Sequence, residues 1–203
     1  MTASGDPKVA ESWDAEYRAG RYAGEGPMPF VRDILTAALE NRIEHGLYVG
    51  CGNGRNFVPL SRAGLTLTGV DDSAVALQQL TQRCPSYRER LLLGDLSSLP
   101  ARSRFPLVIG IQAFQHGNRA TCHANIRTAR GHLERGGLFC LRVNATGTEY
   151  PHEVEEVESS RAARGRSATL QGQRRASSFT ISGNGSSKGC SPRASGRSFR
   201  SDE

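Results

Sequence analysis

The chain of 203 residues is long enough for one domain with a buried core and an appendage. Its charge is unevenly placed: residues 158–203 hold nine Lys and Arg against three Asp and Glu, while residues 1–157 hold 17 of each, so the whole excess of +6 belongs to the tail. Five cysteines without a CxxC pair or a histidine cluster suggest neither a zinc site nor a disulfide framework, and no apolar run approaches the length of a bilayer span.

The N-terminus, MTASGDPKVAESWDAEY, is polar and lacks the apolar core of a secretory leader. A cytoplasmic protein with no metal and no membrane partner is therefore expected. From Phe30 onward, helical and extended patterns alternate as in a βαβ protein. FVRDILTAALENRI (30–43) has apolar residues at helical spacing, and LYVG (47–50) reads as a buried parallel strand meeting a turn. NFVPLSRAG (56–64) suits a helix stopped by glycine, with Pro59 confined to the first turn. LTLTGV (65–70) is the second strand, and SAVALQQLTQRC is a helix with Ser73 as N-cap. RLLLGD (90–95) and PLVIGIQAF (106–114) supply the third and fourth strands. RATCHANIRTARGHLERGG is read as a helix with a glycine stop, followed by a fifth strand, LFCLRV (138–143).

The chemistry-bearing motif is LYVGCGNGRN, a strand followed by Gly50, Cys51, Gly52 and Gly54 and then a helix. Glycines there permit a sharp turn and close approach of backbone to a ligand. Asp71 follows about 20 residues later, closing the second strand, where a carboxylate accepts hydrogen bonds from ribose hydroxyls. Asp72 and Ser73 read more naturally as turn and cap. Gly94 and Asp95 end the third strand, where Asp95 is either a turn residue or an acceptor for an adenine amino group. Counting from Gly50, the sixth position is Arg55, so the loop reads GxGxG and departs from the GxGxxG of dinucleotide folds. A nicotinamide oxidoreductase is thus the second enzymatic reading, and a nucleic-acid-binding protein acting through the basic tail is the non-enzymatic one.

These residues resemble the class I S-adenosylmethionine-dependent methyltransferases, which pair a GxGxG loop with an acidic residue closing strand two and a GD motif closing strand three. The resemblance covers about residues 10–157 and implies a Rossmann-like, doubly wound α/β fold using S-adenosylmethionine on a small-molecule acceptor rather than nucleic acid. SWDAEYRAGRY (12–22), GIQAFQHG (110–117) and LERGGLFCLRVNATGT (133–148) are similar to the small bacterial methyltransferases grouped with tellurite-resistance and thiopurine enzymes. That likeness implies that Gln112 lies beside the methionine portion of the cofactor and that Gln115, His116, Arg142 and Asn144 line the acceptor side. His116 and Arg142 are the catalytic candidates, as a base for an acceptor proton and as a holder of an anionic acceptor. Trp13, Tyr17 and Tyr22 stand either as a cover over the cofactor or as packing.

Beyond Glu158 the chain is dominated by Ser, Arg and Gly and shows no periodicity, so a disordered extension is expected. Methyltransferases of this fold need two further strands after the fifth, and the tail offers no candidates by pattern; the sheet is expected to lack its last strands and to leave the fifth with an unpaired edge. A shifted reading frame accounts for this. Beginning each codon at the third base of the present one, Arg166 to Ala176 permits VRYxTGPKEG and Ala176 to Ser182 permits LFIHYL; the Phe179–Thr180 junction encodes only His or Tyr. Resequencing the gene is expected to reveal a frame change ahead of Ser167. An unbroken read through codons 150–203 matching an independent isolate would remove this reading.

Overall fold

The computed structural model describes residues 7–144 and 178–182. Helices α1 (Pro7–Arg18) and α2 (Phe30–Glu40) precede β1 (His45–Val49), α3 (Phe57–Arg62), β2 (Thr66–Asp71), α4 (Ala74–Arg83), β3 (Leu91–Leu93), β4 (Phe105–Ile111), α5 (Arg119–Gly131), β5 (Leu133–Arg142) and β6 (Ser178–Ser182). Five strands run parallel in the order β3-β2-β1-β4-β5, and β6 adds antiparallel to β5. Strand order reverses between β1 and β4, which opens a crevice at their carboxyl ends.

Period-two alternation sorts the strands onto two faces. Leu107, Ile109 and Ile111 pack with Phe30, Ile34 and Ala38 of α2, Phe57 and Leu60 of α3 and Leu80 of α4. Leu47, Val108 and Phe139 face the opposite layer with Ala129 of α5. α2 buries Phe30, Val31, Ile34 and Ala38, the one-sided spacing that the sequence displays. α4 begins where Ser73 accepts the Ala76 amide at 3.1 Å, as its N-cap role requires.

Three expectations need correction. The helix expected over 119–137 ends at Gly131, because His132 is buried, places Nδ1 3.0 Å from the Ser103 carbonyl and accepts the Phe105 amide at 2.8 Å. Leu133 opposes Phe105 while Leu138 opposes Leu107, so the segment between them is a bulge, with Gly136 at φ +81°. β4 stops at Ile111, since Gln112 turns to φ +58° and leaves the strand. The edge of β5 is covered in the present frame: Arg142↔Ser178 through Leu138↔Ser182 pair it with β6. SFTIS holds Phe, Thr and Ile in succession, strand-favouring residues whose signal is diluted by the surrounding Ser, Arg and Gly. The sheet thus gains one of its two expected last strands. The remainder of the tail, and with it the 157/158 domain boundary and most of the shifted-frame segment, lies outside the described residues.

Gly46 tests the sheet packing. A Cβ there would sit 2.7 Å from the Leu107 carbonyl oxygen and 2.9 Å from its Cβ, and backbone cannot move aside as a side-chain tip can. Gly46→Ala is expected to cost about 1–3 kcal/mol in urea unfolding. An unchanged midpoint would show that β1 and β4 are not in this register.

Candidate functional site

The bend after β1 is held from the β2 side. Gly50 and Cys51 donate to the Val70 carbonyl at 2.8 and 3.3 Å, which draws the chain across the end of β2. Gly50, Gly52 and Gly54 adopt φ of +69°, +53° and +92°. Added Cβ atoms would meet Ala113 Cβ at 2.6 Å, the Tyr17 hydroxyl at 2.3 Å and Leu80 Cδ1 at 2.5 Å respectively. The glycines are therefore required by the protein's own close packing, as well as by the room a ligand would need. The Cys51 thiol is buried against Gly69 and the core, and burial pushes it well above its usual range. Cys51 shapes the bend from beneath.

Asp71 joins the bend to the next helix. Its carboxylate accepts the Gly52 amide at 2.7 Å and the Ser73 amide at 2.9 Å. Burial outweighs both bonds and raises the carboxyl to about 6. Asp72 is raised as well, by burial and then by the charge of Asp95. Asp95 caps the 3-10 turn Leu96–Ser98 through Oδ1, which accepts the Ser97 amide at 2.8 Å and its hydroxyl at 2.5 Å. The turn role thus holds for one oxygen of Asp95, whose charge is felt by Asp72 at the end of β2.

On the other side of the crevice, Gln112 is the joint. Its amide donates to the Arg142 carbonyl at 2.7 Å, and its carbonyl lies 2.8 Å from His116 Nε2. A carbonyl only accepts, so Nε2 carries the proton and Nδ1 the lone pair. Trp13 of α1 meets the His116 ring edge-on at 4.8 Å, and burial lowers the imidazole below its usual range. Gln115 accepts the Asn144 amide at 2.8 Å and ties the β4 loop to the end of β5. Arg142 donates to the Met28 sulfur at 3.4 Å, and burial, then the nearby Arg55 charge, lowers its pKa.

The aromatic residues pack as one group beside the glycine bend. Trp13, Tyr17 and Tyr22 form a chain of ring contacts of 6.3 and 6.0 Å, with Tyr17 buried over Gly52. Sequence reasoning missed what holds them in place. Asp14 accepts the Ser73 hydroxyl at 2.6 Å and the Val75 amide at 3.1 Å, so α1 caps α4 from outside. Gln79 donates to the Tyr17 carbonyl at 3.0 Å. Arg55 bonds the Gly26 carbonyl at 2.7 Å and Glu25 at 2.8 Å, while Asn56 accepts the Met28 amide at 2.8 Å. These partners are 28 to 62 residues apart, beyond the reach of any local spacing rule.

Residues 47–137 match the family model described as a methyltransferase domain. Among solved structures, a SAM-bound amino pentose methyltransferase from Micromonospora echinaspora superimposes with a TM-score of 0.52 at 22% identity, over 64% of this chain and 56% of that one. A SAM-bound magnesium protoporphyrin IX methyltransferase from Synechocystis PCC 6803 gives 0.56 at 19% identity, over 72% and 80%. The fold is that of the class I S-adenosylmethionine-dependent methyltransferases. An S-adenosylmethionine-dependent methyltransferase from Clostridium acetobutylicum ATCC 824 shares this methyltransferase fold with a TM-score of 0.51 at 21% identity, over 68% and 57%. The chain thus spans little more than half the length of two of these three structures. Comparison with curated proteins gives no significant match. Among the described residues no helix is long and apolar enough to cross a membrane, and no group of three or more His, Cys, Asp or Glu is placed to hold a metal.

The Trp13–His116 contact is directly measurable. A nuclear magnetic resonance titration is expected to show His116 protonating below its ordinary 6.5 with the proton on Nε2, and Trp13→Ala to shift that midpoint upward as water reaches the ring. An unshifted midpoint in the variant would show that α1 does not cover the imidazole.

Proposed function

We propose that the chain is an S-adenosylmethionine-dependent methyltransferase acting on a heteroatom of a small-molecule acceptor. The observation that carries this is the Asp71 carboxylate, enclosed at the carboxyl end of β2 and bonded to the glycine bend at the sheet's switch point. A carboxyl raised to about 6 despite two amide donors has room for more donors, and ribose hydroxyls supply them. Asp95, whose Oδ1 serves Ser97, and neighbouring Asp72 provide acceptors for an adenine amino group. Gln112, at the end of β4 beside Ala113 and hence beside Gly50, takes the methionine portion.

When bound, the cofactor supplies a methyl group already activated on a sulfonium. The chain then has to align the acceptor, exclude water and manage one proton. Trp13 and Tyr17 cover the crevice. His116, neutral at physiological pH and with its lone pair on Nδ1, accepts a proton from an acceptor hydroxyl, amine or thiol. The motifs at 12–22, 110–117 and 133–148 support a small bacterial enzyme of the tellurite-resistance and thiopurine type, working in the cytoplasm without a metal.

Titration calorimetry of the full chain with S-adenosylhomocysteine tests the reading, alongside NADH, which is expected to give no heat. Hydroxyl donors stabilise the charged form of Asp71, so its carboxyl falls below about 6 on binding and binding releases a proton. Affinity is therefore full above pH 6 and weakens as pH falls through that value. Asp71→Ala is expected to weaken binding at least about tenfold. Absence of heat from folded protein would overturn the assignment, as would a preference for NADH.

A further inference from the structure

We propose that the acceptor is a small organic anion whose carboxylate, or equivalent oxyanion, is held by Arg142. This deepens the methyltransferase reading and rests on it. Arg142 closes β5 and follows Leu138 and Cys140 on the sheet face covered by α2 and α3. Its backbone is fixed, because its carbonyl accepts the Gln112 amide at 2.7 Å and the Asn144 amide two residues on is tied to Gln115 at 2.8 Å. The guanidinium is unsatisfied by comparison. Its side-chain hydrogen bond among the described residues goes to the Met28 sulfur at 3.4 Å, and a thioether is a weak acceptor. The ion pairs among the described residues occupy Arg18, Arg21 and Arg55, and none involves Arg142.

Arg55 adds a second positive charge close by. It is braced on the same short segment, through the Gly26 carbonyl, Glu25 and the face of Tyr22 with its guanidinium carbon 5.5 Å from the ring centre, while Asn56 holds Met28. Two cations held against residues 25–28, one of them without an acid, are mutually repulsive. An anion relieves that repulsion, and a planar carboxylate accepts two parallel bonds from a guanidinium. The location is functional, for Gln112 joins Arg142 on one side to His116 on the other through bonds of 2.7 and 2.8 Å. One residue therefore spaces an anion holder from a proton acceptor. The acceptor carries its anionic group on Arg142 and its protonated nucleophile toward His116; the nucleophile forms a bond to the methyl carbon, the methyl–sulfur bond breaks with its electron pair leaving on sulfur, and the nucleophile's proton passes to imidazole.

The test uses benzoate and its neutral isostere benzamide, titrated into the full chain saturated with S-adenosylhomocysteine. Benzoate is expected to bind and benzamide to bind at least about tenfold more weakly. Arg142→Met, which keeps the apolar stem, is expected to remove the preference while leaving S-adenosylhomocysteine affinity within about twofold; Arg142→Lys restores part of it. Retained cofactor-product binding certifies that each variant is folded, and a wild-type chain without it refutes the underlying enzyme reading instead. Three outcomes overturn the proposal: equal binding of the two probes, a preference that survives in Arg142→Met, or a loss of S-adenosylhomocysteine affinity beyond tenfold in that variant, which would assign Arg142 to the cofactor's own carboxylate.

Discussion

The Asp71 carboxylate is the point at which the site and the fold are one object. It terminates β2, accepts the amide of Gly52 and that of Ser73, and so fixes the bend after β1 relative to the start of α4. Ser73 in turn caps α4 and is itself gripped by Asp14 of α1. One acid therefore organises three segments that a long-range alignment must otherwise bring together by packing alone. The same burial that makes it effective leaves it short of hydrogen-bond donors, and a carboxyl near 6 is ready to be charged by whatever donors arrive.

Around that acid the crevice divides by charge. The β2–β3 side presents the carboxylates of Asp72 and Asp95, whereas the β4–β5 side and its roof present Arg142 and Arg55. A ligand lying across the switch point meets acceptors at one end and cations at the other. Residues 20–28 bend over the cationic end with Gly20, Tyr22 and Gly24 at positive φ, and are fastened by Arg55, Asn56 and Arg142. The aromatic chain from Trp13 to Tyr22 continues this roof toward the glycine bend.

Much of the fold was legible because its signals are local. Alternating apolar runs meeting glycine mark β1 and β2, and a serine before an apolar-periodic stretch marks α4. The acidic residue closing β2 reads as a ligand-facing carboxylate, and its bond to the Gly52 amide, 19 positions back, is what the fold adds. What failed to read was governed by tertiary pairing. LERGG joins β5 because Leu133 finds Phe105 across a bulge, although its charge and its helix-favouring Leu, Glu and Arg suit a continued α5. SFTIS becomes a strand because β5 offers an open edge, a fact absent from its own composition. Asp14, Arg55 and Asn56 lie within motifs, yet no local spacing marks their bonds, because the partners are ones that folding brings to them. Cys51 and Gln115 also have scaffold roles that no local spacing displays: the Cys51 thiol fills the core beneath the bend, and Gln115 braces two loops.

Proton release on binding of the cofactor product addresses Asp71 most directly. Calorimetry of the full chain with S-adenosylhomocysteine near pH 6, in two buffers of different ionisation enthalpy, is predicted to show protons leaving the protein on association, and Asp71→Asn to abolish that release. Binding with no net proton exchange in the wild type, or release that persists in the variant, would contradict the role given to this carboxylate.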